Sequence, residues 1–78
     1  MRYRFHIRCE TCSAEDEEGL DLLDIETARK EAVRGVRSIL CDELLRGELD
    51  LRGSIDVADE SGSIVESIKF EDAIRIVR

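Results

Sequence analysis

The sequence predicts an α+β domain of ββαββ type: a two-layer sandwich in which a four-stranded antiparallel sheet carries one long helix on one face, with a short helical turn at the C-terminal end. Three observations predict it. Residues 2–8 alternate apolar and polar side chains. Residues 25–46 repeat apolar side chains at helical spacing. Residues 54–70 hold two further alternating runs around a turn.

In the first run, Tyr3, Phe5 and Ile7 face one way and Arg2, Arg4, His6 and Arg8 the other. Period-2 alternation with aromatic and β-branched residues is the signature of a half-buried strand. Residues 9–18 are polar and acidic and read as a loop ended by Gly19. Leu20 and Leu22 alternate around Asp21, which gives a short second strand pairing back on the first.

Asp24 then stands where a helix N-cap belongs, with a side-chain oxygen to accept an orphan backbone N–H. Ile25, Ala28, Ala32, Val33, Val36, Ile39, Leu40 and Leu44 fall on one stripe. The other face is charged, and Glu26 precedes Lys30 at i, i+4. Gly35 lies at the edge of the stripe, where the absence of a side chain would let a strand backbone come close. Gly47 is placed to cap the C-terminus. Leu49 and Leu51 turn toward the core in a connector. Ser54–Ala58 and Ser63–Phe70 form a hairpin around Asp59-Glu60-Ser61-Gly62. Glu66 falls on the same face as Ile64, Ile68 and Phe70. An inward charge at a sheet edge or a bulge would resolve that conflict. Ala73, Ile74 and Val77 pack from a last helical turn.

Composition narrows the function. With 78 residues the chain is read as one domain, 1–78. Domains this small hide little surface and often gain stability from a metal, a disulfide or a second copy. The formal charge of −7 opposes general binding to a phosphate backbone. No apolar run reaches the length needed to span a bilayer, and the first residues lack the continuous apolar stretch of a signal peptide. Three cysteines cannot complete an intramolecular disulfide framework. The expected setting is the cytoplasm.

The ordered set Arg2-Tyr3-Arg4-Phe5-His6-Ile7, Asp16-Glu17-Glu18-Gly19-Leu20, Ala28 and Glu31-Ala32, Val57-Ala58-Asp59-Glu60-Ser61-Gly62 and Phe70-Glu71-Asp72-Ala73 resembles a family of small bacterial domains of unknown function. Its members open with an Arg-Tyr-Phe-Phe-His-type strand and carry an Asp-Glu-Glu-Gly segment. The resemblance spans nearly the whole chain and implies a small stand-alone bacterial domain, with no activity attached. The sequence departs from the pattern at Arg8-Cys9-Glu10-Thr11-Cys12, where relatives place a short Asp/Gly-rich turn, and at Lys69, where relatives often carry proline.

Cys9 and Cys12 make one C-x-x-C. Two thiolates at that spacing can chelate zinc or cycle as a redox pair. A zinc cage needs further ligands, and Cys41 lies well off the helix stripe while His6 points away from Cys9. The simpler reading is two loop cysteines and no cofactor. Glu15–Glu18 lacks the alternating ligands of a calcium loop and reads as a solvated acidic run. Arg29, Lys30, Arg34 and Arg37, interspersed with acids, read as a salt-bridged helix surface.

Arg4, His6 and Arg8 are the candidate partner-binding residues, on the outer face of the first strand. They could hold an anion, RNA or an acidic protein surface, or pair with neighbouring-strand acids such as Asp56. No nucleophile elbow and no acid–base pair points to catalysis. The expected function is a non-enzymatic interaction or adaptor domain, binding a protein partner or acting as a homodimer. A nucleic-acid-associated, antitoxin-like regulator and a metal or redox protein built on Cys9 and Cys12 are the alternatives.

Overall fold

The computed structural model describes residues 1–10 and 13–78. Its elements are β1 (Arg2–Cys9), β2 (Leu20–Asp21), α1 (Ile25–Leu45), β3 (Gly53–Ala58), β4 (Ile64–Lys69) and a 3-10 turn at Phe70–Asp72. The strands form one antiparallel sheet in the order β2-β1-β3-β4. The architecture is the expected α+β, ββαββ arrangement.

The helix begins and ends where local chemistry dictates. Asp24 is extended, and its Oδ1 accepts from the Thr27 amide at 2.9 Å and the Thr27 hydroxyl at 2.8 Å. At the other end Gly47 adopts φ +82°. Its N–H donates to the Leu44 carbonyl and the Glu48 N–H to the Glu43 carbonyl, the paired bonds of a Schellman cap.

Between the caps, Ala28, Ala32, Val36 and Leu40 are buried. They recur every four residues, so they stack along one line of the helix. Two alanines at the front of that line let α1 settle close to the sheet. Tyr3, Ile55, Val57, Ile68, Phe70 and Ala73 complete the core, with Phe5, Ile7 and Leu51 packed against it.

Several expectations need correction. Leu44, at 58% exposed, and Leu49 lie outside the core, because the stripe leaves the sheet before the last helical turn. Val77 is 76% exposed, since the C-terminal helix is a single turn that ends at Asp72. No atom lies within 4 Å of a Cβ built on Gly35, so no strand approaches there. The close approach is at Gly53 instead, where a Cβ would come 2.8 Å from the Phe70 ring. Glu26 pairs with Arg29 rather than Lys30.

The Glu66 conflict has a double resolution. β3 and β4 change register between Val57 and Ala58, which leaves Val65 as an extra residue on β4. Glu66 stays on the helix side, opposite Val57, and reaches Arg29 of α1 at 3.0 Å. β4 is an edge strand, so the carboxylate sits at the rim rather than in the core.

Candidate interaction surface

The helix covers one face of the sheet, and the other carries the even-numbered side chains of β1. Cross-strand register sets their neighbours. Arg8 lies beside Ser54, which lies beside Lys69. His6 lies beside Asp56, which lies beside Ser67. Arg4 lies beside Ala58.

These side chains form a linked network. Arg8 bonds Glu15, and its Nε reaches Asp56 Oδ2 at 3.4 Å. Asp56 Oδ1 accepts from the Ser67 hydroxyl at 2.8 Å. The pairing of Arg8 with Asp56 is the neighbour-strand pairing considered for this face. The Arg8 guanidinium holds the Glu15 carboxyl below its ordinary range.

His6 is 12% exposed at its side chain. Residues 13–18 run back along β1 and enclose it. Its Nδ1 accepts the Asp16 amide at 3.1 Å, so in this arrangement the ring hydrogen sits on Nε2. Glu15 Oε2 lies 3.1 Å from the same nitrogen. One nitrogen cannot accept the amide and donate to the carboxylate together. The amide bond has the hydrogen-bond geometry, and Glu15 is already committed to Arg8, so the amide is the operative partner.

Asp16 anchors this return segment. Its Oδ2 accepts the Phe5 amide at 3.1 Å, and its Oδ1 accepts the amides of Glu18 at 3.2 Å and Gly19 at 3.0 Å. Partial burial pushes its carboxyl up, but the Gly19, Phe5 and Glu18 amides and nearby His6 outweigh that and hold it below the ordinary range. Gly19 takes φ +74°, and a Cβ there would lie 2.5 Å from the Tyr3 carbonyl oxygen. Only glycine fits. The Asp16-Glu17-Glu18-Gly19 segment is thus a turn clamped onto β1. The expectation of a solvated acidic run fails for Asp16, while Glu17, Glu18 and Glu15, the last paired with Arg8, are exposed.

Arg4 differs from its neighbours. It is exposed, and its guanidinium makes no hydrogen bond or ion pair with any described residue. Arg2, by contrast, donates to the Glu18 carbonyl and lies 3.7 Å from Asp21. So the three candidate residues share one face but not one condition. Arg4 projects freely, Arg8 is neutralised, and His6 is enclosed by the chain.

The cysteine pair is only partly in view. Cys9 ends β1, with its amide and carbonyl both bonded to the Ser13 hydroxyl. Cys12, the other half of the weak metal candidate, lies outside the described residues. Among the described residues no three His, Cys, Asp or Glu side chains are grouped to hold a metal ion. Cys41 is an exposed free thiol on α1, off the apolar stripe as expected. No described helix is long and apolar enough to cross a membrane.

The segments clamped in this way are those that carried the sequence resemblance, and a family model for a domain of unknown function, DUF6894, matches residues 2–71. The chain belongs to the DUF6894 family. No curated protein and no solved structure matches it. The DUF6894 segments have plain structural tasks here. Asp16 and Gly19 build the first turn. In the second, Asp59 Oδ1 accepts from the Ser61 amide and hydroxyl and from the Ser63 amide. Phe70 and Ala73 are core. Arg4 is the cation of the opening strand whose side chain has no partner among the described residues.

Proposed function

We propose that the chain is a non-enzymatic interaction module that holds a protein partner, or a second copy of itself, against the sheet face opposite its helix. Arg4 is the leading contact, with Arg8 beside it and His6 beneath, shaping the surface. The observation that supports this reading is the exposed Arg4 guanidinium, unpaired among the described residues, on the sheet face opposite the helix, where Arg2 and Arg8 are paired. A planar guanidinium with all its donors open suits recognition of carboxylates at an interface. The described surface forms no enclosed pocket where a small substrate could be held, and the net charge of −7 opposes a nucleic-acid partner.

The test is capture from native cells with the tagged chain, set beside Arg4→Glu and a helix-face variant, Arg34→Glu. The reading expects one partner to be lost with Arg4→Glu and retained with Arg34→Glu, both variants folding normally. Sedimentation of the same proteins separates self-association from a foreign partner. Equal capture by all three proteins, with no oligomer sensitive to Arg4, would remove the reading.

A further inference from the structure

His6 is the single histidine of the chain, and the return segment sets two mutually exclusive partners against one of its ring nitrogens. Nδ1 accepts the Asp16 amide at 3.1 Å, and Glu15 Oε2 lies 3.1 Å from the same atom. The amide bond needs a lone pair on Nδ1, whereas a bond to the carboxylate needs a hydrogen there. The protonation state of the ring therefore selects between them.

The charged groups around the ring come from three directions. On β1 itself, Arg4 and Arg8 flank it on the same face. From β3, Asp56 stands opposite in the cross-strand register, its carboxylate shared between Arg8 and the Ser67 hydroxyl of β4. From the return segment come Glu15 and Asp16, with Glu17 and Glu18 exposed beyond them. Among these described neighbours, Glu15 is the acid whose oxygen lies within bonding distance of Nδ1. Its other oxygen, Oε1, holds Arg8, so one carboxylate can serve both cations. Glu15 and Asp16 are held below the ordinary carboxylate range, so both are ionised between about pH 5 and pH 8, where histidine side chains titrate.

The remaining bonds of the segment do not involve the ring. Along the outer edge of β1 the Phe5 amide donates to Asp16 Oδ2, the Ile7 amide to the Ala14 carbonyl and the Cys9 amide to the Ser13 hydroxyl. These seal that edge. Asp16 Oδ1 keeps the Glu18 and Gly19 amides. A change at Nδ1 is thus confined to the backbone between Glu15 and Asp16.

We infer that His6 is a proton-operated latch of the return segment: neutral, it holds the Asp16 amide, and protonated, it releases that amide and bonds the Glu15 carboxylate instead. The proton taken up sits on Nδ1, and the hydrogen on Nε2 stays in place. The Asp16 N–H would otherwise meet another hydrogen head-on, so its peptide turns away. The ring exchanges a neutral bond for a charge-assisted one, which keeps the event local and the overall stability little changed. One positive charge is added beneath Arg4 and Arg8. The inference goes beyond the interaction reading and stands whether or not that face holds a partner.

The experiment is a magnetic-resonance titration of the full, nitrogen-labelled chain from about pH 8 to about pH 5, the range of histidine. The inference expects the Nε2–H tautomer at the upper end. As the ring protonates, the Asp16 amide should shift with the same midpoint and lose about tenfold of its exchange protection, after correction for intrinsic rates, the loss of one hydrogen bond. The Phe5 and Ile7 amides should keep theirs. Glu15→Gln, which preserves size but removes the charge, should move the midpoint to lower pH. His6→Gln should leave the Asp16 amide flat. That variant also sets aside the N-terminal amine, which titrates nearby but lies beside Leu22 and Asp21. If it fails to fold, the wild-type titration and Glu15→Gln still decide. An Nδ1–H tautomer at the upper end, a ring that takes no proton across the range, an Asp16 amide indifferent to the ring, or a midpoint unmoved by Glu15→Gln would each overturn the inference. So would joint loss of the Phe5, Ile7 and Asp16 amides, which would mark unfolding rather than a latch.

Discussion

The Asp16 carboxylate accepts from three backbone amides in two segments, Phe5 on β1 and Glu18 and Gly19 in the turn. It thereby does the work of a short strand without forming one. Removing it leaves those amides without a partner, and each unmet backbone donor that water cannot reach costs about 1–3 kcal/mol. Asp16→Ala is expected to destabilise the chain by roughly 2 kcal/mol in urea unfolding. Exchange of the Phe5 amide should accelerate beyond the global change. Exchange at Phe5 that tracks global stability alone would show that the clamp is not what seals this edge.

At the scale of elements, what was readable and what was not follow from the kind of signal each left. The β1 alternation, the α1 stripe as far as Leu40, the Asp24 cap and the Gly47 cap all depend on residues close in sequence, and all stand where the pattern put them. Glu66 advertised a conflict on β4, and the conflict marked both the bulge and the edge. The return of residues 13–18 along β1 left no periodic trace, because it is held by scattered side-chain bonds and a single backbone bridge between Ile7 and Ala14. The Asp-x-x-Gly spacing of Asp16 and Gly19 was the available sign, hidden within an acidic run. That is why His6 was expected in the open and is found enclosed, and why Glu15 was not seen as Arg8's partner. Gly35 was misread for a related reason: a glycine at the stripe's edge signals close approach only if something lies opposite, and a sequence does not give distances between elements. Its correction yields a prediction. Gly35→Ala adds a methyl group into open space in mid-helix and should stabilise the chain by about 1 kcal/mol. A raised urea midpoint at an unchanged slope would bear this out, and a lowered one would show that α1 is crowded at that position.

For the whole molecule, acid is the sensitive condition. The Asp50 carboxyl is lowered to about 2 by its bonds to the Arg52 side chain and amide. Glu15, Asp16, Asp24 and Asp59 are also lowered. Carboxyls depressed in the folded chain bind protons more readily once it unfolds, so they favour folding above their unfolded values near about 4. That contribution is full at neutral pH and is lost as pH falls from about 4 toward about 2. Urea midpoints should therefore hold steady above this window and fall through it. A flat profile across the window would contradict the bonding assigned to these turns. The exposed pairs themselves add little, since solvent screens them, and the thin core of a two-layer domain leaves little reserve.

The single helix covers one sheet face, and the proposed function rests on the opposite face, around Arg4, being where a partner sits. The most direct measurement places a photo-crosslinking amino acid at position 4 in one protein and at position 34 on the outer side of α1 in another, with both irradiated in native cells. The account predicts a discrete adduct from position 4 and none from position 34. Adducts from the helix position alone, or identical patterns from both, would contradict it.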